Sequence, residues 1–348
     1  MTRANERWRR RSRAIRVGTA AGAAALLAAG PAAGPAAAAG LPREAFTISD
    51  PRITESSGLA ASRAHPGVYW THNDSDDGPY VYAVDSEGRT VATVTLRGIK
   101  PRDTEAISLG PDGQLYLGDI GDNRDGTWPE VWIYRFTEPA ELRDQTVDVT
   151  RYRVTYEDGP RDAEALMVHP VTGRAYIASK KQSGGGKLYR GPEALSATGV
   201  NVFRPIADVP WVTDGSFSPD GTRLVLRGYF SGTAYRWQDG RPVEDGSVNV
   251  PLQRQGESVT YTADGTALMF GSEGKGSTVW REALDAEPAP DGSPTGAGAT
   301  APAAAGTDRR ADGGGSTGGS GGGAGGSAVL AVLVVGAIVL LVRKRRGD

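Results

Sequence analysis

Five segments of the chain begin with polar or acidic residues beside a small residue and a short apolar run. They are Glu55-Ser-Ser-Gly-Leu59, Asp103-Thr-Glu-Ala-Ile107, Asp162-Ala-Glu-Ala-Leu166, Thr213-Asp-Gly215 and Gln255-Gly-Glu-Ser-Val259. Glu55, Asp103, Glu105, Asp162, Glu164 and Glu257 are the candidate metal ligands among them. Carboxylates brought to one place repel unless a cation compensates, and a hard cation with oxygen ligands does so best; outside a cell that is calcium. The same residues have a structural alternative, in which each caps its own repeat by accepting backbone N–H bonds. Both readings stand at this point, and the fourth segment departs from the pattern, with Thr213 leading and its aspartate one place later.

Further polar groups follow the second apolar run of each repeat. Asn73, Asp74, Asp119, Asp122, Asn123, Lys180 and Arg227 are the candidate ligand-binding residues. Antiparallel pairing brings the start of a first strand and the end of a second to the same side of a sheet, so both sets share one face. His72 is the histidine of that face and the candidate general base, while His65 and His169 precede prolines in turns on the other side. Asn73-Asp-Ser-Asp-Asp-Gly78 matches a calcium loop in part, but its twelfth place is Val84 instead of glutamate. No Gly-x-Ser-x-Gly, His-Glu-x-x-His or Gly-x-x-x-x-Gly-Lys pattern occurs. Trp128, Trp211, Tyr229 and Phe230 could stack on a ligand or pack between repeats.

What positions these residues is a repeat. Aligning Leu59, Ile107, Leu166, Gly215 and Val259 gives spacings of 48, 59, 49 and 44 residues, and a Gly turn follows each apolar run. Spacings of this size with strand-like alternation predict an all-β fold, a single β-propeller. Four strands are marked in each of the first four units, with Val248–Leu252 as the outer strand of the fourth. The fifth unit supplies three, and Ala45–Ser49 completes it from the N-terminus, removing free edges. The count favours five blades; six would need another unit between Thr137 and Gly159.

There is no cysteine, which removes disulfides and thiolate metal sites. Residues 41–285 hold 35 acidic and 26 basic residues, a net charge of −9, which disfavours nucleic acid as a partner. Residues 1–40 read as an export signal: a basic n-region at Arg7–Arg16, an apolar h-region at Val17–Ala29 and a small-residue cleavage zone. Residues 286–326, rich in Gly, Ala, Pro and Ser, read as a flexible stalk. Residues 327–342 read as a transmembrane helix, and the basic tail 343–348 holds its end in the cytoplasm, leaving the body outside.

The Glu-x-Ser-Gly-Leu opening at Glu55, the Thr71-His-Asn-Asp-Ser75 segment and Gly118-Asp-Ile-Gly-Asp-Asn123 resemble those of secreted bacterial β-propellers. These form the broad group that includes phytase-like, TolB-like and lactonase-like propellers, and the resemblance spans residues 44–284. It implies the fold more than any activity, since propellers carry many functions. Three readings follow. The first is a surface-displayed, calcium-supported module that binds an extracellular glycan, peptide or wall component. The second is a metal-dependent hydrolase of the phytase or lactonase kind, with His72 or a carboxylate activating water. The third is a scaffold that docks another protein.

Overall fold

Short apolar runs punctuated by glycine turns fold here as antiparallel ladders. The structure is a computed structural model, and it describes residues 41–284 apart from 75–76, 125 and 181–184. After β1 (Arg43–Thr47), the first unit comprises β2 (Ser56–Ala61), β3 (Val68–Asn73), β4 (Tyr80–Asp85) and β5 (Thr90–Leu96). The second has β6 (Thr104–Leu109), β7 (Gln114–Asp119), β8 (Val131–Thr137), a short β9 (Gln145–Val147) and β10 (Thr150–Tyr156). The third has β11 (Ala163–Val168), β12 (Ala175–Ser179), β13 (Gly186–Arg190) and β14 (Val200–Val209). The fourth has β15 (Asp214–Phe217), β16 (Arg223–Arg227), β17 (Gly232–Gln238) and β18 (Arg241–Val248). The fifth has β19 (Gly256–Tyr261), β20 (Ala267–Ser272) and β21 (Thr278–Ala283).

The first strands of the five units touch in a ring: β2 against β6, β6 against β11, β11 against β15, β15 against β19, and β19 against β2. Flanked on both sides, these strands are almost wholly buried, whereas the outermost β18 is mostly exposed. Glycine at a positive φ makes the turn after each first strand, for example Gly113 (65°) and Gly221 (74°), where a side chain would be strained. The core is not one mass. Trp70, Val81 and Leu96 of the first unit pack on Leu115, Leu117 and Phe136 of the second. Comparable clusters join the second unit to the third, the third to the fourth and the fourth to the fifth. A last one sets Phe46, Met269 and Val279 against Tyr69, Tyr82 and Val84, joining the fifth unit to the first. This is a propeller-like arrangement of packed sheets.

Closure uses the N-terminal strand. β1 pairs antiparallel with β21 from Arg43↔Arg281 to Thr47↔Thr278, slightly earlier in the chain than the alternation pattern indicates. Two outer features depart from expectation. The outer strand of the fourth unit is Arg241–Val248 instead of Val248–Leu252, and Leu252 is 88% exposed. The cause is a two-residue hairpin at Asp239-Gly240, both at positive φ (51° and 73°), which turns the chain at once. The stretch between Thr137 and Gly159 holds β9 and β10 and no further four-strand unit. β9 runs parallel to β5 of the first unit, and β10 runs parallel to β14, merging the second and third sheets into one of eight strands.

No helix among the described residues is long and apolar enough to cross a membrane. The export signal at 1–40, the stalk at 286–326, the anchor at 327–342 and the tail at 343–348 lie outside the described residues. Closure rests on Phe46, 8% exposed, its ring 5.6 Å from that of Tyr69. Phe46→Ala is expected to cost about 3 kcal/mol, as large-to-small core changes do, read as a lower urea midpoint with one cooperative transition.

Candidate functional site

Three of the acidic residues reach the centre through a defect in their ladders. The pairing of β6 with β7 jumps from Thr104 to Ala106, that of β11 with β12 from Ala163 to Ala165, and that of β19 with β20 from Gly256 to Ser258. The residues left over are Glu105, Glu164 and Glu257. A β-bulge re-aims the extra side chain, and these three are buried at the entrances of their first strands. In the first unit the irregularity falls at Ser57-Gly58, and in the fourth there is none, so neither contributes a glutamate.

Asp74, at the end of β3, and Asp103, just before β6, join Glu105. One carboxylate oxygen from each lies within 4.8 Å of the others, and all three residues are buried. Asn123 Nδ2 donates to Asp103 Oδ2 at 3.0 Å. Gly121 closes over the trio: a Cβ there would come within 2.5 Å of Glu105 Oε1 and 2.7 Å of Asp103 Oδ2. Across the mouth, Lys180 Nζ lies 2.5 Å from Glu164 Oε1. On the fifth unit, Gln255 Nε2 donates to Glu273, which also accepts from Ser57 Oγ at 3.4 Å.

These groups form one electrostatic set. Burial, reinforced by Asp103, holds Asp74 well above the ordinary carboxylate range; burial with Asp74, Glu164 and Asp103 does the same to Glu105. Burial lifts Glu164 to about 8 even though Lys180 opposes it, and burial with Glu273 lifts Glu257 to about 7. Burial works against the charge on Lys180, yet Glu164, Tyr229, Glu105 and Glu257 together raise it well above the usual lysine value. The donor set of Asp74, Asp103 and Glu105 is all oxygen, which suits a hard divalent cation with positions left for a ligand.

Other candidates have structural partners. Asp214 Oδ2 accepts from Val259 N at 2.8 Å, linking the fourth unit to the fifth, and Asp162 Oδ1 accepts from Asp122 N at 2.9 Å. Asp119 accepts from the backbone of Asp103 and from the Tyr134 hydroxyl, and Asp122 from Trp128 N. Arg227, fully buried, donates to the carbonyls of Ser258 and Gly271 and to Gln253, and so ties two units together. Asn73 accepts from Thr54 N and Glu55 N and donates to Asp77, a network of turn bonds. Glu55 is half-buried; its carbonyl accepts from Asp74 N, and its carboxylate is not one of the converging three. His72 is 1% exposed and wedged against Gly58, where a Cβ would come within 2.6 Å of Nε2. Its Nδ1 donates to the Asn73 carbonyl at 3.0 Å, and burial takes the ring down to about 4, so it stays neutral at pH 7.

Aligning second-strand exits in the sequence places Glu273 on the same face, but spacing does not single out Gly121. Glu273 follows β20 as Asp74 follows β3 and Lys180 follows β12, so aligning second-strand exits is the signal that finds it. Gly121 carries no such signal, because its role is a close approach made only in three dimensions. Aromatics flank the set: burial and Glu257 raise the Tyr229 phenol, its ring meets Trp211 edge-on at 5.3 Å, and Phe230 is 58% exposed. Trp128 and Trp132 stack on the Arg102 guanidinium, at 4.0 and 3.6 Å.

No family model matches the sequence, and no curated protein matches it. Among solved structures, the PQQ-bound aldose sugar dehydrogenase of Streptomyces coelicolor is similar over 71% of this chain and 98% of that one, at 12% identity and a TM-score of 0.44. The apo form of the soluble aldose sugar dehydrogenase of Escherichia coli is similar over 70% and 99%, at 11% and 0.44. A chain of a nidogen–laminin complex is similar over 63% and 73%, at 16% and 0.39. Likenesses of this extent assign no activity, cofactor or ligand.

The raised carboxyls make a pH prediction. Glu164 and Glu257 bind protons more tightly folded than unfolded, so their contribution is fully present below about 4.5 and is lost as pH rises through about 7 and 8. In chelator, Tm should fall by several degrees between pH 5 and 9, and Glu257→Gln should flatten that slope in a scanning melt.

Proposed function

We propose that this chain is an exported, membrane-anchored, five-bladed propeller whose channel mouth binds a divalent cation, calcium, and through it an extracellular ligand. The observation that carries the reading is the convergence of Asp74, Asp103 and Glu105 within 4.8 Å, while Lys180, whose charge reaches Glu105, is paired with Glu164. Three carboxylates offering one oxygen each supply fewer than the six to eight that calcium takes, so ligand hydroxyls or carboxylates complete the shell. The aromatic side chains of Tyr229 and Phe230 beside the mouth suit a glycan or peptide. Export and anchoring rest on the basic–apolar–small order of residues 1–40 and on the apolar run before Arg343-Lys-Arg-Arg346.

A second reading, metal-dependent hydrolysis, is favoured by Glu257. Burial and Glu273 hold it at about 7, where a general base for a metal-bound water works best. His72, locked and buried, does not suit that role.

Calcium added to the purified full-length chain should raise Tm over chelator, by the equivalent of about 2.7 kcal/mol at a hundredfold excess over Kd. Glu105→Gln, which keeps the shape but cannot ionise, should relieve the crowding of carboxyls, leave the chelated Tm unchanged or higher and abolish the calcium response. Gly121→Ala should also lose the response. A calcium titration that moves nothing in the parent chain overturns the cation site. Calcium-dependent turnover of phosphomonoesters or lactones, lost in Glu257→Gln, would select the hydrolase.

A further inference from the structure

A second concavity lies where the closing strand meets the first unit. It has a volume of about 420 Å³ and is lined by Arg43, Glu44, Ala45, Phe46, Tyr69, Ser86, Met269 and Arg281. Arg43 and Arg281 are direct partners in the β1–β21 ladder, and Arg281 is in turn the partner of Met269 on β20. Direct partners project to the same side of a sheet, so the two guanidinium groups emerge side by side. Like charges in this arrangement destabilise a ladder, here the ladder that closes the ring.

Among the described residues no acidic side chain pairs with either, and neither guanidinium has a side-chain hydrogen bond. The acidic residues of the adjoining turn, Asp85 and Glu87, both pair with Arg89, at 2.8 and 3.0 Å. Asp264 is held in its own turn by Thr262 and Thr266. Glu44 is the partner of Trp280, one place along each strand, which puts it on the opposite side of the sheet. The charge of Arg281 is felt at the Tyr69 hydroxyl, so the cationic end and the aromatic wall adjoin. The rest of the lining, Phe46 and Met269, is apolar and buried.

We propose that this groove binds a small organic dianion, its oxyanion head on the Arg43–Arg281 pair and its apolar body on Phe46, Tyr69 and Met269. Two guanidinium forks match two negative charges, and oxyanions are what such forks hold bidentately. Phosphate monoesters and dicarboxylates share this chemistry. Occupancy would also replace repulsion in the closing ladder by bridging, so the ligand would clamp the ring.

The test is a melt of the full-length chain in chelator, which removes any contribution from the carboxylate site. Phenyl phosphate, phthalate, inorganic phosphate and sodium chloride are compared at equal ionic strength. Phenyl phosphate or phthalate should raise Tm dose-dependently and more than inorganic phosphate, and the larger of the two responses identifies the head group. Arg43→Gln and Arg281→Gln should each leave the ligand-free Tm unchanged or higher while weakening the apparent affinity at least tenfold; a merely structural arginine would lower the ligand-free Tm instead. Organic anions that do no more than sodium chloride, or an undiminished response in both variants, overturn the proposal. Calcium binding is measured separately and should be unaffected by either substitution.

Discussion

Asp74, Asp103, Glu105, Glu164, Glu257 and Glu273 are gathered at one end of the inner strands with the ammonium of Lys180 among them. At 4.8 Å and an effective dielectric of about 20, each ionised pair in the trio costs about 3 kcal/mol. The carboxyls cannot separate, because their strands are locked into a ring by neighbouring sheets. What remains is to bind protons, which the upward shifts of Glu105, Glu164 and Glu257 express, or to bind a cation. The sheet-to-sheet cores, with Trp70, Phe203, Phe270 and Tyr82 fully buried within them, are what hold so much like charge in place.

The ring is not symmetric, and its asymmetry gives the site a direction. Bulges deliver glutamates from the second, third and fifth units, while the fourth keeps a regular ladder in which Asp214 sits opposite Arg227. That aspartate turns to the backbone of Val259, and the arginine turns to the carbonyls of Ser258 and Gly271. The fourth unit therefore spends its charged residues on joining itself to the fifth. At the mouth it offers aromatic surface instead, through Tyr229 and Phe230. Besides burial, Glu257, Glu164 and Glu273 stand close enough to Tyr229 to raise its phenol, so an aromatic ring adjoins the carboxylates.

The repeat was legible because each unit announces itself twice, by a capped apolar run and by a glycine turn. Gly113, Gly173, Gly221 and Gly265 do adopt the left-handed conformation such turns require. Asp103 and Glu105 were legible as a pair for the same reason. Their meeting with Asp74 was not, since Asp74 belongs to the preceding unit and approaches only when the sheets pack. The bulges were also hidden: one residue of register separates a glutamate that enters the channel from one that stays in the ladder, and composition does not record that choice. Asp239-Gly240 did carry a hairpin signal, but the apolar stretch Val248–Leu252 outweighed it in a reading by alternation.

Identical residue types thus take different roles according to backbone position. An aspartate placed before a first strand, as Asp162 is, finds a free N–H from a neighbouring loop, and burial is then compensated by a hydrogen bond. A glutamate on a bulge stands where the ladder has been interrupted, with the channel ahead of it. Its compensation has to come from other side chains or from a bound species. Glu164 has Lys180, and Glu257 has the Gln255 amide and the charges of Lys180 and Arg227. Glu105 is pressed by Asp74, Glu164 and Asp103, with Lys180, itself paired with Glu164, opposing them, and Gly121 lies against it where any side chain would fill the space. Of the three bulged glutamates, Glu105 is therefore the one with no direct ion pair or side-chain donor among the described residues.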